Sequence, residues 1–293
     1  MPDYRLVVVS IFLGFALVEL LAGRLLFRAE TTRKDLIVEI GSGLALPLVI
    51  VPAVMTGSAW LTEAVAPGSE GAWAGWPVAA MVGVLLLADD LTQYLWHRLS
   101  HSWPKLYLLH RAHHSAEYLS VRVAYRNNLI YYALMPGLWL SGALLYLGFA
   151  PVYYVYYVAK MAVIIAAHSS VPWDAKLLRI RWLRPLMAVV VRVISTPSTH
   201  AAHHGRHAAD GVTHYHGNYG NLLFLWDVLF GTAKITGERP REYGLEGVGP
   251  ATWQQELIWP FAAQPALGPA PSPSPGDENS SPERSSDISG RAA

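Results

Sequence analysis

Several stretches of this chain stay apolar long enough to cross a lipid bilayer, and that limits its fold more than any other feature. A spanning helix needs roughly 20 mostly apolar residues, because each adds about 1.5 Å across about 30 Å of hydrocarbon. In hydrocarbon every backbone N–H and C=O must be bonded within the protein, so only helices and closed barrels cross. Residues 4–23, with Glu19 inside them, residues 36–55 and residues 76–96 have the helical length. Residues 129–149 and 151–167 read as a helical hairpin turned at residues 148–151. Composition agrees: 15% of the residues are charged, against about 25% in soluble domains.

Basic residues orient such a bundle, because cytoplasmic links collect Lys and Arg. The link after the first span holds Arg24, Arg28, Arg33 and Lys34, whereas residues 56–75 hold only Glu63 and Glu70. Arg98, Lys105, Arg111, Arg122 and Arg126 follow the third span, and Lys176, Arg179, Arg181 and Arg184 follow the hairpin. This alternation places the N-terminus outside and the histidine motifs on the cytoplasmic side of a multi-pass integral membrane protein. The N-terminus does not read as a cleaved signal peptide, since it has one early Arg and further spans follow. Residues 186–194, interrupted by Arg192, are too short to span and read as a helix at the interface or packed on the bundle. The expected organisation is N-terminal transmembrane helices (1–75), a catalytic membrane domain (76–235), a C-terminal cap extension (236–263) and a disordered Pro- and Ser-rich tail (264–293).

The net charge of +1 offers no global field for nucleic acid. The absence of Cys excludes disulfides, thiolate metal sites and cysteine nucleophiles. What remains is an excess of histidine: 12 residues, most of them in or beside three motifs. These are His97-Arg-Leu-Ser-His101, His110-Arg-Ala-His113-His114 and His200-Ala-Ala-His203-His204. Helical residues turn by about 100°, so each motif keeps its rings within about 100° and is able to aim them at one point. Eight imidazoles are too many for one ion. They suit two ions with four to five nitrogens each and open positions, whereas a structural zinc closes at four ligands. His168 stands alone at the inner end of the hairpin, level with the motifs. His207 shares the face of His200 if the helix persists past Gly205. His214 and His216 fall in a Gly- and Asn-bearing loop as candidate supports of the ligands.

Asp89 and Asp90 lie about 10 Å inside the third span, where ionisable groups are costly and usually functional. Asp90, Tyr94, His97 and His101 run down one helical face. Asp90 is therefore expected to accept an imidazole N–H and fix the ring's direction, with an interhelical hydrogen bond as the plainer reading. Asp89 points about 100° away toward packing or another partner. Lys160, mid-hairpin, snorkels or lines a cavity. No His-Glu-x-x-His, no paired Glu-x-x-His and no Gly-rich phosphate loop is present. The fold expected is all-α: a transmembrane helical bundle with a cytosolic helical cap carrying a histidine-rich dimetal site. A histidine-rich metal transporter or sensor is the alternative, although transporter sites sit near the midplane between repeats and no repeat is visible here.

Over residues 85–232 the sequence resembles the fatty acid hydroxylase/sterol desaturase superfamily. The resemblance rests on the three motifs led by Asp90-Leu-Thr-Gln-Tyr94, on His168-Ser, and on Thr196-Pro197 before His200. It is completed by Asn218-Tyr219-Gly220-Asn221 and by Leu225-Trp226-Asp227 running to Gly231-Thr232. It implies two iron ions held by His97, His101, His110, His113, His114, His168, His200, His203 and His204. It also implies O2-dependent hydroxylation or desaturation of a lipid such as a fatty acyl chain or sterol. Electrons would come from a separate donor: cytochrome b5-like, ferredoxin or a reductase. Asp90, His207, His214, His216, Asn218 and Asp227 are the candidate supports. His216 stands where the family commonly has Asp, two residues before Asn-Tyr-Gly. Residues 218–232 look like a cap over the site, or plain amphipathic packing through Leu222, Leu223, Leu225, Trp226, Leu229 and Phe230.

Overall fold

The computed structural model describes residues 3–26 and 31–265. Arg28 and the greater part of the expected tail lie outside the described residues. Among the described residues the protein is all-helical, with two isolated bridges, Ile194 to Leu223 and Gly205 to Tyr243. Four helical stretches are long and apolar enough to cross a membrane: α1 (Tyr4–Leu21), α2 (Arg33–Val65), α3 (Val78–Ser102) and α5 (Pro136–Ala167). Leu6, Leu13, Ile40, Leu48 and Val78 stand exposed on them, forming the apolar outside that a lipid solvent requires.

Two boundaries differ from the sequence expectation. First, α2 runs on to Val65 instead of ending near residue 55. Ser58 donates to the Trp139 carbonyl (2.5 Å) and Thr62 to the Ser58 carbonyl (2.8 Å), so these hydroxyls are absorbed by the bundle. Small residues allow that closeness: a Cβ on Gly142 would sit 2.7 Å from Ser58 Cβ. Second, residues 129–149 are not one helix. The chain leaves helical geometry at Met135 (ψ 114°), because the residue before a proline is driven out of the α region. α3 continues past Trp96 to Ser102 and carries His97 and His101, as their helical spacing implies.

Gly148 (φ 108°) folds α5 back on itself. Gly137, before the turn, lies against the Asp89 carbonyl, and Lys160, after it, reaches the Asp89 carboxylate (2.6 Å). The two arms therefore pass the same point on α3 in opposite directions. Trp73 stacks on Trp76 (4.7 Å) beside Phe149 at the turn end of this hairpin.

The second arm of α5 runs parallel to α1. Tyr4 stacks on Tyr154 at one end (4.3 Å), and Glu19 accepts from the Ser170 N–H (2.6 Å) at the other. Because α3 runs the same way, its C-terminal end and the end of α5 arrive at one face. There α4 (Pro104–His114), α7 (Pro197–His203), α8 (Leu225–Phe230) and α9 (Trp253–Ile258) complete the cap. Between them α6 (Arg184–Val193) buries Met187 and Val191 and leaves Leu186 and Val189 exposed. It is the short amphipathic helix expected at residues 186–194.

A histidine cage of two linked groups

Proline starts both HxxHH helices. Pro104 opens α4 and Pro197 opens α7, where the missing N–H is no loss. Thr196 and Thr199 form a reciprocal capping box ahead of His200. Within such a helix residues i and i+4 differ by about 40°, whereas i+3 lies about 100° from i+4. The three rings of one motif therefore diverge, which corrects the expectation of a single aiming point. His110 and His114 join His97, His101 and His203 in one group; His113 joins His168, His200 and His204 in the other. The two motifs split reciprocally, and each lends its i+3 ring to its neighbour's group. His114 and His204 stack across the divide at 4.4 Å.

In each group one nitrogen per ring lies within 4.8 Å of all the others. The outward nitrogens explain why. His97 Nδ1 meets the Tyr219 carbonyl (2.7 Å) and His203 Nδ1 the Gly217 carbonyl (2.7 Å). His113 Nδ1 meets the Arg126 carbonyl (3.0 Å) and His168 Nδ1 the Ile164 carbonyl (2.8 Å). A carbonyl only accepts, so each Nδ1 carries the proton and each Nε2 presents a lone pair inward. His97 and His203 then face each other Nε2 to Nε2 at 3.0 Å, and His113 and His168 at 3.4 Å. No proton lies between these lone pairs, so the contact is repulsive unless a cation fills it. Two nitrogens bound at about 2.0–2.1 Å stand about 3.0 Å apart at a right angle and about 3.4 Å apart at the tetrahedral angle. The spacing is that of ligands sharing an ion. His101 Nε2 is buried with no hydrogen-bond partner, which is the same signature.

Burial holds the rings neutral. It pushes His110, His113, His114, His200, His203 and His204 well below the usual histidine range, and His168 down to about 4. Neutral imidazole is the ligating form.

Behind the first group stands a turn, residues 217–220. Its carbonyls hold His97 and His203, and its N–H groups are held in turn. Asp227 accepts from the Tyr219 N–H (2.8 Å), the Gly220 N–H (2.6 Å) and the Thr232 hydroxyl (2.6 Å). Asn218 has φ 58°, a left-handed conformation that Asn tolerates. Its amide donates to the Thr199 and Lys234 carbonyls and accepts from the Lys234 N–H. Tyr94 adds a contact from α3 to Thr232 (2.9 Å). His214 lies beneath Gly217, its Nε2 3.2 Å from the Thr232 carbonyl. His216 packs on Tyr215, close enough to His101 to bear on that ring.

Asp90 is not the imidazole acceptor expected. It takes the N–H groups of Leu222 (3.3 Å), Leu223 (3.2 Å) and the Trp226 indole (2.8 Å), so it fastens the cap to α3. The reason is local: residues Leu86–Leu91 are π-helical, so the face counted at 100° per residue does not carry through them. Asp89 bonds Lys160 and Tyr156 (2.8 Å) instead. His207 is not brought to the cage. The helix ends before it, and it sits on the surface between Glu246 (2.9 Å) and Glu242 (3.2 Å).

Arg126 carries more than the sequence suggested, where it counted only as an orienting charge. It is fully buried and pairs with Asp35 (2.9 Å) and Glu256 (2.8 Å), while its guanidinium also donates to the Ala112 carbonyl. This clamps the carbonyl that holds His113. Asn127 meets His110 Nδ1 at 3.2 Å. Their positions in a polar link gave no sign of this; an Arg beside two Asn before a helix was the available hint.

The fatty acid hydroxylase family model matches residues 82–232, which contain all nine rings. The chain is 29% identical over 166 residues to alkylglycerol monooxygenase of Danio rerio, covering 56% of this chain and 31% of that protein. It is 29% identical over 162 residues to the Homo sapiens alkylglycerol monooxygenase, covering 54% of this chain and 32% of that one. With ornithine lipid hydroxylase of Rhizobium tropici it is 30% identical over 193 residues, covering 64% and 52%. The chain thus spans about a third to a half of the length of these relatives. No solved structure matches it.

Proposed function

The chain belongs to the fatty acid hydroxylase family, and on that premise we propose that it is an integral-membrane oxygenase that hydroxylates an unactivated C–H bond of a lipid. The overall change is RH + O2 + 2 electrons + 2 protons giving ROH and water. The electrons come from a separate donor, of the cytochrome b5, ferredoxin or reductase kind. The observation that carries this reading is the convergence of nine imidazoles into two adjoining groups whose facing lone pairs call for a cation. Two iron ions, one in each group, would supply the activation of O2 and its reduction. Their ligands are His97, His101, His110, His114 and His203 in one group and His113, His168, His200 and His204 in the other. Hydroxylation is preferred to desaturation because the relatives are named a monooxygenase and a hydroxylase.

The chain's own residues supply the rest. Backbone carbonyls fix four rings in the tautomer that ligates, and burial keeps the rings unprotonated. Asp227 and Asn218 set the turn that carries two of those carbonyls. Asp90 keeps the cap seated on α3, and the seated cap excludes water from a reactive site. The position at the ends of α3 and α5 suits a lipid arriving from the bilayer and electrons arriving from the cytoplasmic side. The test is to purify the full chain, count iron per chain, and supply 18O2 with reductant and membrane lipids. The expected result is iron at about two per chain and an 18O-labelled hydroxylipid, both lost with His203→Ala. Labelled product undiminished by His203→Ala overturns the reading. Metal uptake into vesicles without lipid oxidation replaces it with transport.

A further inference from the structure

Glu19 is the one acid inside the first span, and it bonds none of the nine rings. It is fully buried. An ionisable group within a span is costly, and an acid in the last turn of a helix meets the negative end of the helix dipole. The stability of α1 therefore gives no reason for it. Its bonds do. Oε2 accepts from the Ser120 hydroxyl (2.6 Å), and Oε1 accepts from the N–H groups of Val121 (3.2 Å) and Ser170 (2.6 Å). The first two donors belong to one segment of the chain and the third to another.

Both segments lead to the second histidine group. Ser120 caps a short 3-10 helix, Val121–Tyr125, and Arg126 ends it. The Arg126 carbonyl fixes His113 (3.0 Å). Ser170 lies two residues beyond His168, which caps the end of α5. His113 and His168 are a facing pair of that group, Nε2 to Nε2 at 3.4 Å. One carboxylate thus joins the backbone behind one ring to the backbone behind the other. The rest of this contact is apolar: Val8, Phe12 and Phe15 of α1 pack with Val121, Ile164 and Ile165. Apolar packing has no direction, whereas three hydrogen bonds to one carboxylate set distances and angles. His97 and His203 of the first group are held elsewhere, by residues 217–220.

We propose that Glu19 is a positioning residue for the second group: it sets the separation of the two backbone segments that carry His113 and His168. Residue 19 lies outside the matched family region, 82–232, so α1 serves the cage from beyond that region. An amide fits the same place. Its oxygen accepts from the two N–H groups, and its NH2 donates to the Ser120 hydroxyl, which accepts as well as it donates. Gln therefore keeps the brace and Ala does not. This role deepens the oxygenase reading and rests on it for the ion that is held. The brace itself is measured without metal, so the two fail separately.

The test begins with hydrogen–deuterium exchange of the metal-free full chain in dodecyl maltoside, read by mass spectrometry. Glu19→Ala should speed exchange about tenfold over residues 119–126 and 168–171, with residues 217–220 unchanged. Glu19→Gln should restore the wild-type rate. Iron is then loaded and its affinity read by competition with a chelator. In a His203→Ala chain, whose intact group is the second, Glu19→Ala should weaken iron binding about 10–100-fold. In a His200→Ala chain, whose intact group is the first, it should leave iron binding unchanged. Val8→Ala, a buried truncation on the same helix, should lower the unfolding temperature and leave iron affinity unchanged. Should Glu19→Ala fail to fold, Ser120→Ala removes one bond of the three and should weaken the second group alone, severalfold. Unchanged exchange in Glu19→Ala, exchange as fast in Glu19→Gln, equal weakening of both groups, or the same weakening from Val8→Ala overturns the proposal. A wild-type chain that holds no metal overturns the oxygenase reading, and the exchange rates alone then decide the brace.

Discussion

The two histidine groups hold their rings by different means. In the first, His97 and His203 are steered by a buried turn, residues 217–220, which depends on Asp227 and Asn218. In the second, His168 is steered by a carbonyl one turn back on its own helix, and His113 by Arg126, locked between Asp35 and Glu256. One group thus leans on the turn at residues 217–220, the other on the backbone of α5 and on the Arg126 clamp. The pairing teaches that an ion site of this kind is only as rigid as the backbone behind the rings.

That comparison can be broken at several points, in descending size. His203→Ala removes a ligand from the first group. Metal per chain, read by elemental analysis, should fall by about half or more, and lipid product by more than about 100-fold. Arg126→Met strands two buried carboxylates and should cost about 3–5 kcal/mol, seen as a lower unfolding temperature in detergent. It should reach metal binding through His113. Asp227→Ala should leave the fold standing and weaken metal binding about 10–100-fold, in the first group alone. Equal loss from both groups would erase the distinction drawn here.

Acid should act on the two groups together. The rings outside the spans take protons less readily folded than unfolded, His168 only near 4. Between that range and the unfolded value near 6.5 the unfolded chain binds more protons, so stability rises with pH there. It is fully present above about 6.5 and is lost as pH falls below that value. Metal content after dialysis at pH 7 and at pH 5 reads this. Smallest of all, His207→Gln removes an exposed pair with Glu242 and Glu246, and should change stability by less than about 0.5 kcal/mol.

Much of this was legible before folding, and the reason is periodicity. Apolar length exposed the spans, and the i, i+3, i+4 spacing marked the rings. Which ring joins which group was not legible, because it depends on how two short helices face each other. The supports were harder still. Gly217, Tyr219, Ile164 and Arg126 act through backbone carbonyls, which no side-chain letter announces. Asp90 was sought on the ring face and found on the cap, because a π-helical segment shifts the angular count. His207 would have joined the ring face only had the helix passed Gly205, and it ends at His203.

The pair between Lys160 and Asp89 has one more consequence. Both partners are buried, and they join α3 to the returning arm of α5 well inside the apolar layer. Sliding α3 by a single residue, about 1.5 Å, would pull that contact apart. The vertical position of His97 and His101 is therefore locked relative to His168. An alkyl chain whose polar end is held at the bilayer surface would meet the cage at a constant number of carbons, set by a ruler built from two helices.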